Sequence, residues 1–273
     1  MADQTYRERS AAHELSRHLS CVWVQEVSPQ SEPYTHRTVP NGGVEIYCAV
    51  GSVPQLVGPQ TGPTTEILAP GTTVVGVRFR PGAAPSVLGL PATELVDLAV
   101  GADELWGDAA VALGERIAAS ASPQEAAAML EREVFAHAIA REEEPDPIAT
   151  EAVRHLLPWR TSEVTSLTES LYISERQLRR RCLAAIGLAP KALHRMLRFQ
   201  GFLALAGQRD HPSDELALLA AQAGYADQSH LTRESVRLAG LTPRALLRES
   251  EINCGPSHDH RASYAPLLGS RAR

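Results

Sequence analysis

One segment of this sequence carries side chains that could read the bases of DNA. In a helix that begins after Ser174, the exposed side chains are Glu175, Arg176, Gln177, Arg179, Arg180 and part of Arg181. Arginine and glutamine can each pair with a base edge through two hydrogen bonds, and arginine also binds phosphates. A solvated basic helix face is the alternative interpretation, and this segment alone leaves both open.

The residues around this face predict a helix-turn-helix unit. Ser174 is a suitable N-cap, and Gln177 three residues later completes a capping box. A shorter helix over 163–170 and a tight turn over 171–173 precede it. Apolar residues are spaced to bury one face between the two helices, and they are Val164, Leu167, Leu171, Ile173, Leu178 and Cys182.

The same arrangement occurs a second time further along the chain. A helix from Asp214 stops at Gly224, and after a three-residue turn Gln228 opens the next helix. Both units end in Gly-Leu-x-Pro followed by a basic residue, at 187–191 and at 240–244. The long helix predicted between the two units could hold them rigidly.

Over roughly residues 150–248 these features resemble the DNA-binding domain of the AraC/XylS family. The matching stretches are Ser-Glu-Arg-Gln-Leu-Arg-Arg-Arg at 174–181 and Gly-Tyr-Ala-Asp-Gln-Ser-His-Leu-Thr-Arg at 224–233. The resemblance implies two recognition helices in successive major grooves on one face of double-stranded DNA. By family position, the first would read DNA through Arg176, Arg179 and Arg180. The second would do so through Gln228, Ser229, His230 and Arg233, with Thr232 on phosphate.

Three residues depart from the family pattern. Cys182 and Ser235 stand where the family usually has phenylalanine, and Thr168 stands where it usually has alanine. Replacing a buried phenylalanine by a smaller residue typically costs a few kcal/mol. We therefore expect the last helix of the second unit to be packed loosely.

Charge separates the chain into two parts. The 273 residues carry a net charge of −6, but residues 1–147 contain 9 basic and 20 acidic side chains, whereas residues 148–250 contain 14 and 10. Basic charge concentrated in one segment is what DNA binding needs, because lysine and arginine must displace phosphate counterions there. The second part is therefore the one expected to bind DNA.

The first part has the pattern of a β-rich domain. Apolar runs at 22–27, 44–50 and 73–80 are separated by proline and glycine turns, which predicts short strands. Two helices should follow, one from Asp103 or Asp108 to about Ala119 and one from Pro123 to about Arg141 with Ser122 as its N-cap.

These patterns predict an α+β chain with two domains. A β-rich, sensor-like domain for effector sensing or oligomerisation should occupy residues 1–141, and an all-α domain with two helix-turn-helix units should occupy 148–250. The charge run and two prolines at 142–147 predict a linker between them. Residues 251–273 are rich in small and polar residues and are expected to be a disordered tail.

The first domain contains a candidate effector site. Residues 34–106 are similar to the sensor-type domain of some AraC-like regulators, a similarity that brings no ligand with it. If the polar faces of two strands meet in a pocket, Arg78 and Arg80 could hold an anionic effector with Glu45 as counter-charge. The alternative is a solvent-facing ion pair on a sheet.

The second predicted helix of the first domain carries an apolar stripe. Its members are Ala127, Leu130, Val134 and Ala138. The stripe fits the core of its own domain, and a homodimer seam is the alternative.

Metal, cofactor and membrane chemistry have little support in the sequence. The four cysteines are scattered without a CxxC pair, and His36 stands alone. The His-Asp-His triplet at 258–260 should be solvated in the tail. Neither a metal nor a cofactor is therefore predicted. No apolar run approaches the roughly 20 residues of a membrane helix. The N-terminus has no signal-peptide pattern, which predicts a cytoplasmic protein without a membrane partner.

Together these observations predict a sequence-specific DNA-binding transcription regulator that a small molecule modulates through the N-terminal domain. We do not expect an enzyme. The alternatives are an enzyme or an interaction protein joined to an AraC-like DNA-binding domain. An alkyl-transfer enzyme would need an activated thiolate among metal-ligand cysteines, and the cysteines lie too far apart in sequence to suggest one.

Overall fold

A seven-stranded sheet dominates the N-terminal half of the chain. The computed structural model describes residues 4–160, 164–209, 212–254 and 258–268. Within them the strands are β1 (Gln4–Arg9), β2 (Leu19–Val27), β3 (Tyr34–Thr38), β4 (Glu45–Ala49), β5 (Gln55–Val57), β6 (Thr64–Leu68), β7 (Thr73–Phe79), β8 (Ala99–Gly101) and β9 (His258–Asp259). The order across the sheet is β8-β5-β4-β7-β2-β1-β9, and β3 pairs with β6 alone. The three predicted strands correspond to β2, β4 and β7.

Alternation along the central strand β7 decides which face of the sheet is buried. Val75, Val77 and Phe79 are fully buried in the core of the domain. On the other side of the strand, the backbone of Gly76 lies against the indole of Trp23, and a Cβ at residue 76 would come within 2.2 Å of that ring. Only glycine therefore fits at this position.

Two long helices cover the buried face of the sheet. The helices of this half are α1 (Ala84–Leu88), α2 (Asp103–Trp106), α3 (Asp108–Ala118) and α4 (Pro123–Arg141). The Ser122 side chain accepts a hydrogen bond from the backbone N–H of Glu125, as predicted for an N-cap. The α4 stripe belongs to the core of its own domain, because Ala127, Leu130 and Val134 are buried and Ala138 packs against them. It is not free to form a homodimer seam.

The C-terminal half is helical. Its helices are α5 (Pro147–His155), α6 (Val164–Ser170), α7 (Glu175–Ile186), α8 (Pro190–Ala206), α9 (Leu216–Gln222), α10 (Gln228–Ala239), α11 (Pro243–Cys254) and α12 (Arg261–Leu268). The predicted linker lies between the end of α4 and the start of α5. Among the helices described, none is both long and apolar enough to cross a membrane.

The long helix α8 connects two apolar cores. Its N-terminal half contributes Leu193 and Leu197 to the core of the first helix-turn-helix unit. Its C-terminal half contributes Phe199 and Phe202 to the core of the second. One rigid helix therefore belongs to both units and fixes their relative orientation, as the sequence suggested.

The prediction of a disordered tail is wrong for residues 258–268. His258 and Asp259 pair in parallel with β1, opposite Tyr6 and Arg7, and α12 packs against α8. The segment has too few apolar residues to fold alone, but it does not have to. It adds to an existing sheet edge and to existing apolar cores, which Ala262 and Leu267 contact.

The attachment of this segment should weaken in mild acid. His258 is packed against Tyr6 and is hydrogen-bonded to Gln4, and burial, together with the nearby His260 and His36, lowers its pKa to about 4. A histidine with a depressed pKa contributes stability that is complete above its ordinary pKa of 6.5 and is lost as the pH falls towards 4. As the pH falls from 6.5 to 4.5, the backbone amides of residues 258–268 should therefore lose protection: their hydrogen exchange should become faster relative to the rate expected for an unfolded chain at the same pH.

A His258→Asn variant is the control, because it removes the titrating group while keeping a polar side chain. In this variant, the protection of residues 258–268 against hydrogen exchange should depend less on pH over that range. Equal pH dependence in the parent and the variant would contradict the assignment to His258.

Candidate nucleic-acid interface

The first recognition helix, α7, has two well-defined ends. The Ser174 hydroxyl accepts a hydrogen bond from the Gln177 backbone N–H at 3.2 Å, and the Gln177 side-chain oxygen accepts one from the Ser174 backbone N–H at 2.9 Å. This is the predicted capping box. At the other end, Gly187 adopts a left-handed conformation with φ 79° that stops the helix.

The outer face of α7 presents unpaired positive charge. Arg176, Arg179 and Arg180 are exposed, and none of them has a hydrogen-bond or ion-pair partner within the part of the chain that the structure describes. Arg181 differs, because its guanidinium donates to Asp146 at 2.7 Å. Three free guanidinium groups on one helix face can bind phosphates or base edges, whereas Arg181 holds α7 against the N-terminus of α5.

The second recognition helix, α10, is capped by a residue that we did not predict as a cap. The Asp227 side chain accepts a hydrogen bond from the backbone N–H of His230 at 2.6 Å. Its position immediately before the helix, equivalent to that of Ser174, is the signal that could have identified it. An aspartate at a helix N-terminus also stabilises the helix dipole.

The predicted DNA-contacting residues of α10 differ in exposure. Gln228, Ser229 and Arg233 are exposed at its N-terminal half. His230 is half-buried, and its ring makes a T-shaped contact with the ring of Tyr225, with the two ring centroids 5.2 Å apart. The Thr232 hydroxyl donates a hydrogen bond to the Gln228 carbonyl at 2.9 Å. The first three are therefore free to contact DNA, whereas His230 and Thr232 also have structural contacts.

Helix α8 contacts α10 and the turn before it through charged side chains that sequence reasoning missed. The Arg198 guanidinium lies over the ring of Tyr225, 4.6 Å from its centroid. Arg195 lies 4.0 Å from the carboxylate of Glu234 on α10. No local pattern identifies such pairs, since their members lie 27 and 39 positions apart in the sequence.

The expected loose packing at Ser235 is not observed. Ser235 is fully buried, and its hydroxyl donates to the carbonyl of Leu241 at 2.7 Å, across the turn that follows α10. The hydrogen bond replaces the packing that a phenylalanine would provide. Cys182 is likewise buried in the core of the first unit, where burial raises the pKa of its thiol to about 11, so it stays neutral.

The candidate effector residues are only partly brought together. The Arg78 guanidinium donates to Glu45 at 2.8 Å and to Glu8 at 3.1 Å, and the three side chains are at most 19% exposed. Their ion pair is therefore buried, not solvent-facing. Arg80 instead donates to the carbonyl of Ser16 at 2.7 Å, and it has no carboxylate partner among the described residues.

Glu8 is the centre of this buried network. Burial alone would raise the pKa of its carboxyl group, but hydrogen bonding to His260 and the charge of Arg78 outweigh that effect and lower the pKa to about 2. The carboxylate also accepts hydrogen bonds from the Tyr6 hydroxyl and from Ser263. It is therefore ionised and fully paired, and Arg78 is largely neutralised before any ligand binds.

A cavity of about 300 Å³ lies between the two domains beside this network. Its walls are mostly apolar and include Phe79, Leu157, Leu197 and Leu267, which come from both domains and from α12. Arg80 also lines it, together with Arg17 and Arg154, which are paired with Glu144 and Glu151. The cavity thus combines apolar walls with one cation that no carboxylate neutralises in the described ranges.

The thiols and the acidic or histidine side chains do not form a reactive centre in the described part of the chain. No group of three or more His, Cys, Asp or Glu side chains there could hold a metal ion. Cys21 and Cys48 are buried, and burial raises their thiol pKa values to about 12 and about 11. Neither is an activated thiolate at neutral pH.

Two known families match separate parts of this chain. Residues 7–101 match a family described as a domain of unknown function, DUF6597. Residues 167–249 match a family described as a helix-turn-helix domain, and it is of the AraC type. Among curated proteins, no sequence matches this chain.

Some solved structures share a similar arrangement at low identity. Apo ToxT from Vibrio cholerae strain SCE256, in a variant form, is 14% identical, with a TM-score of 0.47 over 88% of this chain and 99% of that one. ToxT from Vibrio cholerae O395 is 12% identical, with a TM-score of 0.44 over 90% and 97%. Wild-type ToxT with a bound unsaturated fatty acid, from strain SCE256, is 14% identical, with a TM-score of 0.43 over 90% and 91%.

Restoring the family's usual phenylalanine at position 235 should destabilise the protein. In Ser235→Phe, a much larger side chain must enter a site where the serine is already fully buried, and the carbonyl of Leu241 loses its donor. Overpacking typically costs about 1–3 kcal/mol, so the midpoint of urea unfolding should fall. Ser229→Phe on the exposed face of the same helix is the control and should leave the midpoint nearly unchanged. A higher midpoint for Ser235→Phe would contradict this account of the site.

Proposed function

We propose that this chain, whose C-terminal part is an AraC-type helix-turn-helix domain, is a sequence-specific transcription regulator that reads DNA with both recognition helices. The observation that carries the proposal is the pair of capped helices α7 and α10, which one helix, α8, holds in a fixed relation. Each presents exposed arginine, at 176, 179 and 180 on α7 and at 233 on α10. Two fixed helices of this kind suit two successive major grooves.

The residues divide into two roles under this proposal. Arg176, Arg179 and Arg180 would contact bases and phosphates in one groove, and Gln228, Ser229, His230 and Arg233 would read the other, with Thr232 near phosphate. Asp146, Arg195 and Arg198 would act as positioning residues: Asp146 contacts α7, Arg195 contacts α10, and Arg198 contacts Tyr225 in the turn before α10.

The preferred site should be obtained first, by selecting random genomic fragments on the purified protein at moderate salt. If both units bind, the retained fragments should share two short half-sites about one helical turn apart. Enrichment of a single half-site would mean that only one unit reads DNA.

On that site, Arg180→Ala and Arg233→Ala should each cost about 1–3 kcal/mol of specific binding. Each change should also relax base preference in one half-site only, because the two residues lie on different recognition helices. Binding titrations against the site and against single-base variants of each half-site would measure both effects. Arg132→Ala, on the exposed face of α4, is the matched control and should bind like the parent. Parent-like binding by both test variants would contradict the docking geometry.

We further propose that a small organic anion modulates the protein from the cavity between the domains. The apolar walls would hold its carbon skeleton, and Arg80 would pair with its anionic group. Of the three residues that the sequence suggested for the effector site, Glu45, Arg78 and Arg80, only Arg80 would bind the ligand directly. Arg78 and Glu45 would support the site as a mutually satisfied pair.

Octanoate and octanol provide a matched pair of probes for this cavity. Octanoate should raise the melting temperature of the parent by a few degrees at saturation, since a ligand that binds only the folded state stabilises it. Arg80→Ala should lose most of that response while keeping any response to octanol, because the change removes a charge and little apolar surface. An undiminished octanoate response in Arg80→Ala would contradict the assignment of the cation.

A further inference from the structure

The C-terminal strap, defined here as residues His258–Leu268, joins the two domains. Its first part lies on the N-terminal sheet, where the Ser263 backbone N–H and hydroxyl donate to the Glu8 carboxylate at 2.8 and 3.0 Å. Its second part lies on the DNA-binding domain, where the Pro266 carbonyl accepts a hydrogen bond from the Trp159 indole at 3.0 Å. Leu267 packs against the core of the first helix-turn-helix unit. The strap therefore resists separation of the domains.

Two further contacts between the domains do not involve the strap. Arg37 of β3 forms an ion pair with Glu249 of α11 at 2.7 Å. The Gln200 side-chain amide on α8 donates to the carbonyl of Pro40 at 2.8 Å. The domains are thus held together at several separate places, and the arrangement can be called closed.

In the closed arrangement, the N-terminal domain lies beside the recognition face of α7. The short turn Ala92–Glu94 packs against this helix, and Thr93 lines a cleft with Arg176 and Arg180. At the end of the helix, a Cβ at Gly187 would come within 2.7 Å of Val96. The turn therefore lies directly against α7.

DNA docked on α7 as proposed would need the space that this turn occupies. The major groove is about 12 Å wide, and a helix with its side chains is about 10–12 Å across, so a recognition helix fills the groove and has a phosphate strand on each side. A protein segment packed beside the recognition face therefore takes the place of one strand. The turn also carries the exposed carboxylate of Glu94, which would repel phosphate.

We propose that the C-terminal strap is an autoinhibitory clamp, which holds the N-terminal domain where it blocks the first recognition helix. The inference rests on the proposed DNA-binding function. It also gives the cavity a means of control, because Ser263, Tyr264, Pro266 and Leu267 of the strap form part of the cavity wall. A ligand too large for the closed cavity would displace the strap and release α7.

The test weakens the strap in the full-length chain and measures both domain opening and DNA binding. The double variant Trp159→Phe/Ser263→Ala removes one hydrogen bond at each attachment and changes few atoms. Arg261→Ala is the control, because that side chain is in the strap but is 94% exposed. Spin labels attached through Arg132→Cys and Arg237→Cys, in a Cys254→Ser background, report the distance between the domains.

The double variant should show a longer and broader label distance and bind the selected DNA site about tenfold more tightly than the parent, since each lost bond favours the open form by several-fold. Arg261→Ala should match the parent in both measurements. An unchanged distance, or opening without tighter DNA binding, would overturn the clamp. Opening with no specific DNA binding by any variant or by the parent would overturn the proposed function instead.

Discussion

The organisation of this protein depends on one buried carboxylate. The side chain of Glu8 is 0% exposed, and a buried charge is tolerated only when it is paired and hydrogen-bonded. Its partners come from three places: Tyr6 on the same strand, Arg78 on the central strand, and Ser263 and His260 in the C-terminal segment. Satisfying Glu8 therefore brings the end of the chain back to the first strand and fixes the guanidinium of Arg78.

This constraint explains why the candidate ligand site differs from the one expected from strand alternation. Arg78 and Glu45 do share one face of the sheet, as the pattern predicted, but Glu8 comes from a strand whose pairing the pattern did not reveal. With two carboxylates beside it, Arg78 cannot attract an anion strongly. Arg80 lies one residue beyond the end of β7, where no facing strand supplies a carboxylate within the described residues, and it keeps its charge.

Features with local signals could be predicted, and features that depend on distant partners could not. The N-caps at Ser122 and Ser174 and the two helix-turn-helix units follow from residues within a few positions of each other. The contact between Glu8 and Ser263 joins residues 255 positions apart, so nothing near the tail marks it as ordered. Ser235 is an intermediate case, because family comparison marks it as a defect while its partner Leu241 lies only six residues away.

The separation of charge along the chain has a structural consequence beyond locating the DNA-binding half. The acidic N-terminal domain lies beside the arginines of α7, and its surface and the phosphates of DNA are both negative. Under the proposed function the two would compete for one cationic face, and their repulsion would favour opening as DNA approaches. At physiological ionic strength, salt screens both the attraction to the arginines and the repulsion from phosphates beyond about 8 Å. These forces therefore act only on groups as close to α7 as the turn at 92–94. Long-range charge alone would not keep the closed form, which is why direct contacts at the strap, at Arg37 and at Gln200 are needed to hold it.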